Sequence, residues 1–255
     1  MCDIKYTVAC VCLNAINVIE DTIRSILEQT YSEVELIVVD GLSTDGTYEL
    51  LCKYEREQKL VLIHEKDSGI YDAMNKAVGV AGGDYIYFLG AGDVFYDKYV
   101  LAELTKDLES YRQVEENALP VVLCGNFEAV YSAEKREIFD FFHHPNISGF
   151  RRSCGFPTSH QAFMVRCDVM KKKMFDTTYL FQADQEVLAY CLKHYRKSIH
   201  LVDILFSKVD ANGFSAKASR KKMQAESDRI NKEYNRFWYS LAFVPKFFWR
   251  KIFTA

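Results

Sequence analysis

The chain has 255 residues, enough for one large domain with a self-sufficient core. Its 49% hydrophobic and 26% charged residues exclude a disordered chain, and a net charge of −3 excludes bulk electrostatic recruitment of nucleic acid. No charged-then-apolar leader and no run of ~18 apolar residues is visible, which predicts a cytoplasmic protein without a membrane span.

The predicted elements alternate. Tyr6–Leu13 is a short apolar run that reads as a buried strand, and Ile19, Ile23, Ile26 and Leu27 then recur at helical spacing. Val34–Val39 is a second strand, ending at Asp40-Gly41. Thr44–Gln58 reads as a helix capped by Ser43 or Thr44. Leu60–His64 is a third strand, Ile70–Ala81 a helix stopped by Gly82-Gly83, and Tyr85–Leu89 a fourth strand. Four strand–helix alternations predict an α/β fold, a mostly parallel central sheet flanked by helices. Ligands of such sheets bind beyond the carboxyl ends of the strands. Those ends carry Leu13-Asn14, Asp40-Gly41, Glu65-Lys66-Asp67 and Gly90–Asp93.

The second half predicts a mixed extension on the same sheet. Strands are expected at Val121–Val130, Glu137–Phe142, Ala162–Arg166 and Ser198–Phe206, with a helix at Ala183–His194. Residues 217–255 hold ten Lys/Arg against three Asp/Glu, a local charge of +7, and end in the aromatic and basic stretch Trp238–Phe253. That tail suits a peripheral membrane surface or, equally, a helix packed on the domain or a homodimer contact. The eight cysteines include no C-x-x-C pair and read as reduced core residues, with Cys10 and Cys12 on one side of their strand.

Three acidic segments carry candidate chemistry. Asp40, followed by Gly41, could accept hydrogen bonds from a ribose or base; the plain alternative is a turn before a capped helix. Gly69, at the start of the third helix, could turn backbone N–H groups to an anion, while Asp72, Asn75 and Lys76 could equally be a solvated face. Asp93, in Gly90-Ala91-Gly92-Asp93, could hold a divalent cation that neutralises two phosphates, or simply cap a turn. Neither G-x-x-x-x-G-K-[ST] nor G-x-G-x-x-G follows the first strand, which disfavours a P-loop or dinucleotide fold.

Taken in order, strand–Asn14, Ser25–Gln29, Val34–Gly41, Ser43–Thr47, Gly69–Lys76 and Phe88–Asp93 resemble the family 2 glycosyltransferases, with their glycosyltransferase A-type fold, over about residues 6–215. The likeness is greatest to the branch that builds bacterial capsule, exopolysaccharide and lipopolysaccharide. The resemblance implies a single catalytic domain at 1–215, with a nucleotide-binding half at 1–97 and an acceptor half at 98–215, followed by a helical segment at 216–255. It further implies that Val11, Cys12, Asn14, Asp40, Asp67, Gly69, Asn75, Ala91 and Gly92 line the donor, and that Asp93 binds Mg²⁺ or Mn²⁺ through the donor diphosphate. Many members carry Asp-x-Asp-Asp where this chain has Gly90 and Gly92, so most ligands of an ion here would be phosphate oxygens and water. Ser159-His160-Gln161 resembles the branch's His-Gln element on the acceptor or diphosphate side. Asp184, in Phe181–Gln185, matches the catalytic base. Ser215, in Asn212-Gly-Phe-Ser215, resembles the end of a Gly-Gly-x-Ser loop that orders over the donor, with Asn212 in place of the first Gly. The implied activity is inverting transfer from a nucleoside-diphosphate sugar, UDP- ahead of GDP- or dTDP-linked, to a saccharide or lipid-linked acceptor. A silent nucleotide-binding protein and a nucleotidyltransferase are the alternatives.

Overall fold

The computed structural model describes residues 3–115, 118–139, 159–211 and 219–234. Strand β1 (Tyr6–Cys12) leads through helix α1 (Ile19–Leu27) to β2 (Val34–Asp40), α2 (Thr47–Arg56), β3 (Val61–His64), α3 (Ile70–Val80) and β4 (Tyr85–Phe88). The four strands lie parallel in the order β3-β2-β1-β4, in the expected register of apolar runs. Alternation in β1 sorts its side chains to two faces. Tyr6, Val8, Cys10 and Cys12 meet α1, while Ala9 meets α3.

The second half continues the same sheet. It comprises β5 (Val94–Phe95), α4 (Val100–Val114), β6 (Val122–Val130), β7 (Arg136–Phe139), a 3₁₀ turn at His160–Ala162, β8 (Phe163–Arg166), α5 (Cys167–Lys173), α6 (Ala183–Tyr195), β9 (Ile199–Asp210) and α7 (Arg220–Tyr234). β8 joins antiparallel to β4, and the order runs on as β8-β6-β9-β5, with β7 on β6. Among the described residues one nine-stranded sheet thus spans both halves, parallel in the first and mixed in the second.

Several boundaries differ from expectation for identifiable reasons. Ser43 does not cap α2, because its hydroxyl and N–H both go to Asp40. Asp45 serves instead, accepting from the Thr47 N–H at 3.1 Å, and Gly46 takes the left-handed turn at φ 100°. Gly83 is required less as a helix stop than by proximity, since a Cβ there would stand 2.7 Å from the Thr7 nitrogen. Helix α4 adds to the expected elements, and Val100, Leu101, Leu104 and Leu108 form its buried stripe. β9 runs four residues past Phe206, to Asp210. Residues 140–142 of the expected Glu137–Phe142 strand, the Asn212–Ser215 loop and the tail from 235 lie outside the described residues, as do Cys2 and Cys154. The six described cysteines are free thiols. Among the described residues no helix is long and apolar enough to cross a membrane.

Gly125 marks a shift in register between β6 and β9. A Cβ there would lie 2.3 Å from the Phe206 ring and 2.7 Å from the Ile204 carbonyl oxygen. Gly125→Ala is therefore expected to cost about 2 kcal/mol and lower Tm by roughly 4 °C, read by thermal denaturation. An unchanged Tm would mean that the strand pair has slack there.

Candidate functional site

Two clusters form at the carboxyl edge of the parallel strands. The first surrounds Asp40, the last residue of β2, which is fully buried. One carboxylate oxygen accepts from the Ser43 hydroxyl and faces the Cys12 thiol at 3.7 Å. The other accepts from the Ser43 N–H at 3.1 Å and lies 2.6 Å from His64 Nδ1. Each oxygen of Asp40 thus has two partners within the protein. It organises the 41–43 turn and orients His64, whose ring stacks on Tyr48 at 3.7 Å. Burial pushes the Cys12 thiol far up, so this cysteine stays protonated and packs as an apolar group.

Around this acid the chain is held close. Asn14, at φ 52°, accepts from the Thr44 N–H at 2.9 Å, and its own N–H donates to the Ser43 hydroxyl at 2.7 Å. The absence of a side chain at Gly41 makes room for Asp67, whose Oδ2 lies 2.5 Å from where a Cβ would stand. Asp67 Oδ1 accepts from the Gly69 N–H at 3.0 Å, and Asp72 accepts from the Ser68 N–H at 2.8 Å. The latter bond holds the Asp72 carboxyl below its usual range. The protein's own carboxylates thus take the two N–H groups just ahead of the third helix, those of Ser68 and Gly69. The Asn75 amide donates to the Phe175 carbonyl at 2.9 Å and accepts from the Phe175 N–H at 2.8 Å. It staples α3 to the loop after α5. Val11 is half-buried in β1 opposite Val39.

The second cluster brings together residues far apart in sequence. Asp93 is buried below the Gly90–Gly92 turn. Its N–H donates to the Gly90 carbonyl at 2.9 Å, and a Cβ on Gly90 would meet its Oδ2 at 2.8 Å. Ala91 is half-buried against the α1 face, and Gly92, at φ 99°, donates its N–H to the Thr22 hydroxyl at 2.9 Å. Asp93 Oδ2 accepts from Gln161 Nε2 at 3.0 Å, and Oδ1 from the Asp210 N–H at 3.0 Å. Burial raises the Asp93 carboxyl above its usual range, and those two bonds oppose the rise. The Gln161 carbonyl is fixed from the other side by the hydroxyls of Tyr87 at 2.7 Å and Ser207 at 2.9 Å.

His160, next in the same 3₁₀ turn, connects to Asp184. Its N–H donates to Asp184 Oδ2 at 3.3 Å, and its Nδ1 lies 3.1 Å from the same oxygen. Asp184 Oδ1 accepts from the Gln185 N–H at 2.9 Å and faces the Tyr71 hydroxyl at 3.4 Å. Tyr71 is buried and is pushed well above its ordinary range, first by desolvation and then by the Asp184 charge. The turn therefore carries an unbroken chain of contacts from Asp93 through Gln161 and His160 to Asp184. Sequence reading missed His64, Tyr71 and Asp210. Of these, only His64 left a signal: parallel pairing of the second and third strands sets it opposite Asp40.

Among the described residues no three His, Cys, Asp or Glu side chains gather as a metal cage. Each Asp93 oxygen already accepts one hydrogen bond and retains one lone pair. This donor set fits a Mg²⁺ or Mn²⁺ ion held largely by a ligand's diphosphate, and does not fit an ion held by protein alone.

Comparison with known proteins places the chain. It is similar to TuaG of Bacillus subtilis, a glycosyltransferase provisionally named for teichuronic acid biosynthesis. The two are 42% identical over 98 residues, 38% of this chain and 37% of TuaG. A PGL/p-HBAD biosynthesis glycosyltransferase of Mycobacterium bovis is 37% identical over 94 residues, 36% of this chain and 37% of that protein. The match thus spans little more than a third of either relative. Among solved structures, S. aureus TarS 1–349 in complex with UDP-GlcNAc superposes with a TM-score of 0.61 at 18% identity, covering 90% of this chain and 71% of that one. The mannosyltransferase PcManGT from Pyrobaculum calidifontis, in complex with GDP-Man and Mn²⁺, gives 0.62 at 18% identity, covering 89% and 64%. These likenesses establish a shared fold, the glycosyltransferase A-type arrangement expected from sequence. The model of Glycosyl transferase family 2 matches residues 7–164, more than half of the length, and the chain belongs to that family.

Proposed function

We propose that the protein transfers a sugar from a nucleoside-diphosphate donor to an acceptor hydroxyl with inversion at the anomeric carbon. The observation that carries this is the juxtaposition of two buried carboxylates, Asp93 and Asp184, on either side of the His160–Gln161 turn. One acid beside a leaving diphosphate and one beside an incoming hydroxyl is the arrangement a single displacement needs. Asp184 accepts the hydroxyl proton as the oxygen attacks, while His160 and Tyr71 hold its carboxylate in place. On the other side, Asp93 and the diphosphate would together hold Mg²⁺ or Mn²⁺, which when bound stabilises the departing charge. Asn14, His64 and Asp67 flank the nucleotide end, with Asp40 acting behind them.

The donor is proposed to be UDP-linked ahead of GDP- or dTDP-linked, and the acceptor a lipid-linked saccharide of a bacterial surface polysaccharide. Support comes from TuaG's name and from the UDP-GlcNAc bound to TarS. A thermal-shift screen of UDP-, GDP- and dTDP-sugars with Mn²⁺ tests the reading, since a ligand present at a hundred times its Kd stabilises by about 2.7 kcal/mol. Turnover should release the nucleoside diphosphate. Release of pyrophosphate would instead indicate nucleotidyl transfer. Binding without turnover would favour a silent nucleotide-binding protein, the reading that Gly90 and Gly92 keep alive.

A further inference from the structure

Helix α7 carries a residue whose place the proposed chemistry does not yet use. Glu226 is half-buried and reaches across to the segment leading into α6. One of its carboxylate oxygens accepts from the Leu180 N–H at 2.8 Å; the other accepts from the N–H groups of Phe181 at 3.1 Å and Gln182 at 3.0 Å. Gln182 is the N-cap of α6 and makes no side-chain capping bond of its own. Its amide oxygen instead accepts from the Ser227 hydroxyl at 2.8 Å. Asp184 stands two residues further on, in the first turn of that helix.

The neighbouring contacts make α7 a fitted brace. Arg229 donates to Asp176 and to the Thr178 hydroxyl, each at 2.7 Å, and covers the Tyr179 ring at 4.2 Å. Ile230 and Tyr234 are buried in the core face shared with α3 and α6. The Tyr234 hydroxyl meets Glu186, which also takes Lys173 Nζ at 2.7 Å. Glu226 differs from these anchors in what it holds: backbone donors immediately ahead of the candidate base.

We infer that Glu226 is a positioning residue for Asp184, an inference that rests on the sugar-transfer reading. A helix start leaves its N–H groups without intrahelical partners and concentrates positive potential there. Gln182, the N-cap, has one such N–H, and Glu226 answers it together with the two that precede it, which fixes the path of the chain into the helix. With Glu226 accepting the three N–H groups ahead of the helix, the Asp184 carboxylate is left to His160, Gln185 and Tyr71. A shift of about 1 Å in a reacting group can cost a hundredfold in rate, so a brace on this segment bears directly on turnover.

The test uses the full chain and the variant Glu226→Gln. An amide there retains one acceptor oxygen and turns an NH₂ toward N–H groups, so at least one of the three bonds is lost. Hydrogen exchange without ligand is read on the amides of residues 180–184. Steady-state kinetics use whichever UDP-, GDP- or dTDP-sugar the thermal screen retains. The expected result is faster exchange confined to this segment and a kcat lowered roughly ten- to hundredfold, with donor KM within about twofold of the wild type. Arg229→Ala removes another anchor of the same helix while sparing the Glu226 bonds, and is expected to lower Tm with kcat nearly unchanged. Equal losses of kcat in both variants would assign the effect to undocking of α7 and overturn the inference. Unchanged exchange, or an unchanged kcat, in Glu226→Gln would overturn it as well. If the wild type itself turns over none of the donors, the sugar-transfer reading fails instead, which the ligand-free exchange separates from failure of the brace. Should Glu226→Gln not fold, Glu226→Asp, one methylene too short to span all three N–H groups, takes its place.

Discussion

An Asp184→Asn protein is expected to bind its nucleotide donor as the wild type does and to lose about 10³-fold in kcat, the scale on which a general base contributes. The substitution removes the proton acceptor and keeps the shape. Asp184 has donors on both sides: Tyr71 and the Gln185 N–H at Oδ1, and the His160 N–H with Nδ1 at Oδ2. An asparagine can turn its NH₂ to either side, where Tyr71 can reverse its hydroxyl or His160 its tautomer. In both poses one backbone N–H loses its acceptor. That costs about 1–2 kcal/mol, so the fold survives and the kinetic loss can be read cleanly. Donor binding is checked by thermal shift and kcat by nucleotide release. A kcat within about threefold of wild type would remove Asp184 from the mechanism.

Asp93→Asn is expected to do two opposite things: abolish metal-dependent transfer and stabilise the fold. Burial raises the folded-state pKa of Asp93 above its unfolded value. Its contribution to stability is therefore fully present below the unfolded pKa and is lost as pH rises through the folded one, so at neutral pH the ionised acid is a liability. Asparagine removes that charge. Its new NH₂ can face Gln161 if that side chain reverses its amide, offering Oε1 to the introduced NH₂ and Nε2 to the Ser159 hydroxyl, while the retained carbonyl oxygen keeps the Asp210 N–H. The expected gain is about 1 kcal/mol, roughly 2–4 °C in Tm at pH 7, shrinking toward zero near pH 4. Melting curves at both pH values decide it. A variant less stable than wild type at pH 7 would show that Asp93 is kept for structure. The pairing of lost activity with raised Tm is what separates a functional acid from a turn cap.

The parallel half of the fold was legible because each strand is a short apolar run closed by a polar turn, and the helices between them repeat at 3.6 residues. Helix α4 could have been read from the same periodicity. β5 could not, being two residues long, and the end of β9 is masked by the polar Lys208 and Asp210 among its last residues. Of the candidate site, the ordered motifs point to Asp93, His160, Gln161 and Asp184, which the fold brings together. Of the four groups around Asp40, only His64 follows from strand pairing; the others appear only in the folded chain. Asn75 bonds a backbone 100 residues away, which no local pattern announces. Tyr71 lies 113 residues from Asp184 and the Asp210 N–H 117 residues from Asp93. Contacts of that range leave no local pattern.

The strand order carries a consequence for synthesis. β4 pairs with β1 on one side, but its other neighbour, β8, begins only at Phe163. As the chain leaves the ribosome, Tyr85–Phe88 must wait with a bare hydrogen-bonding edge while some seventy-five further residues are added. Four apolar or aromatic residues on an open edge invite pairing with another chain. The order that sets Asp93 and Asp184 on either side of one turn therefore gives the nascent protein an exposed interval, one that ends only when the turn bearing His160 and Gln161 brings β8 into place.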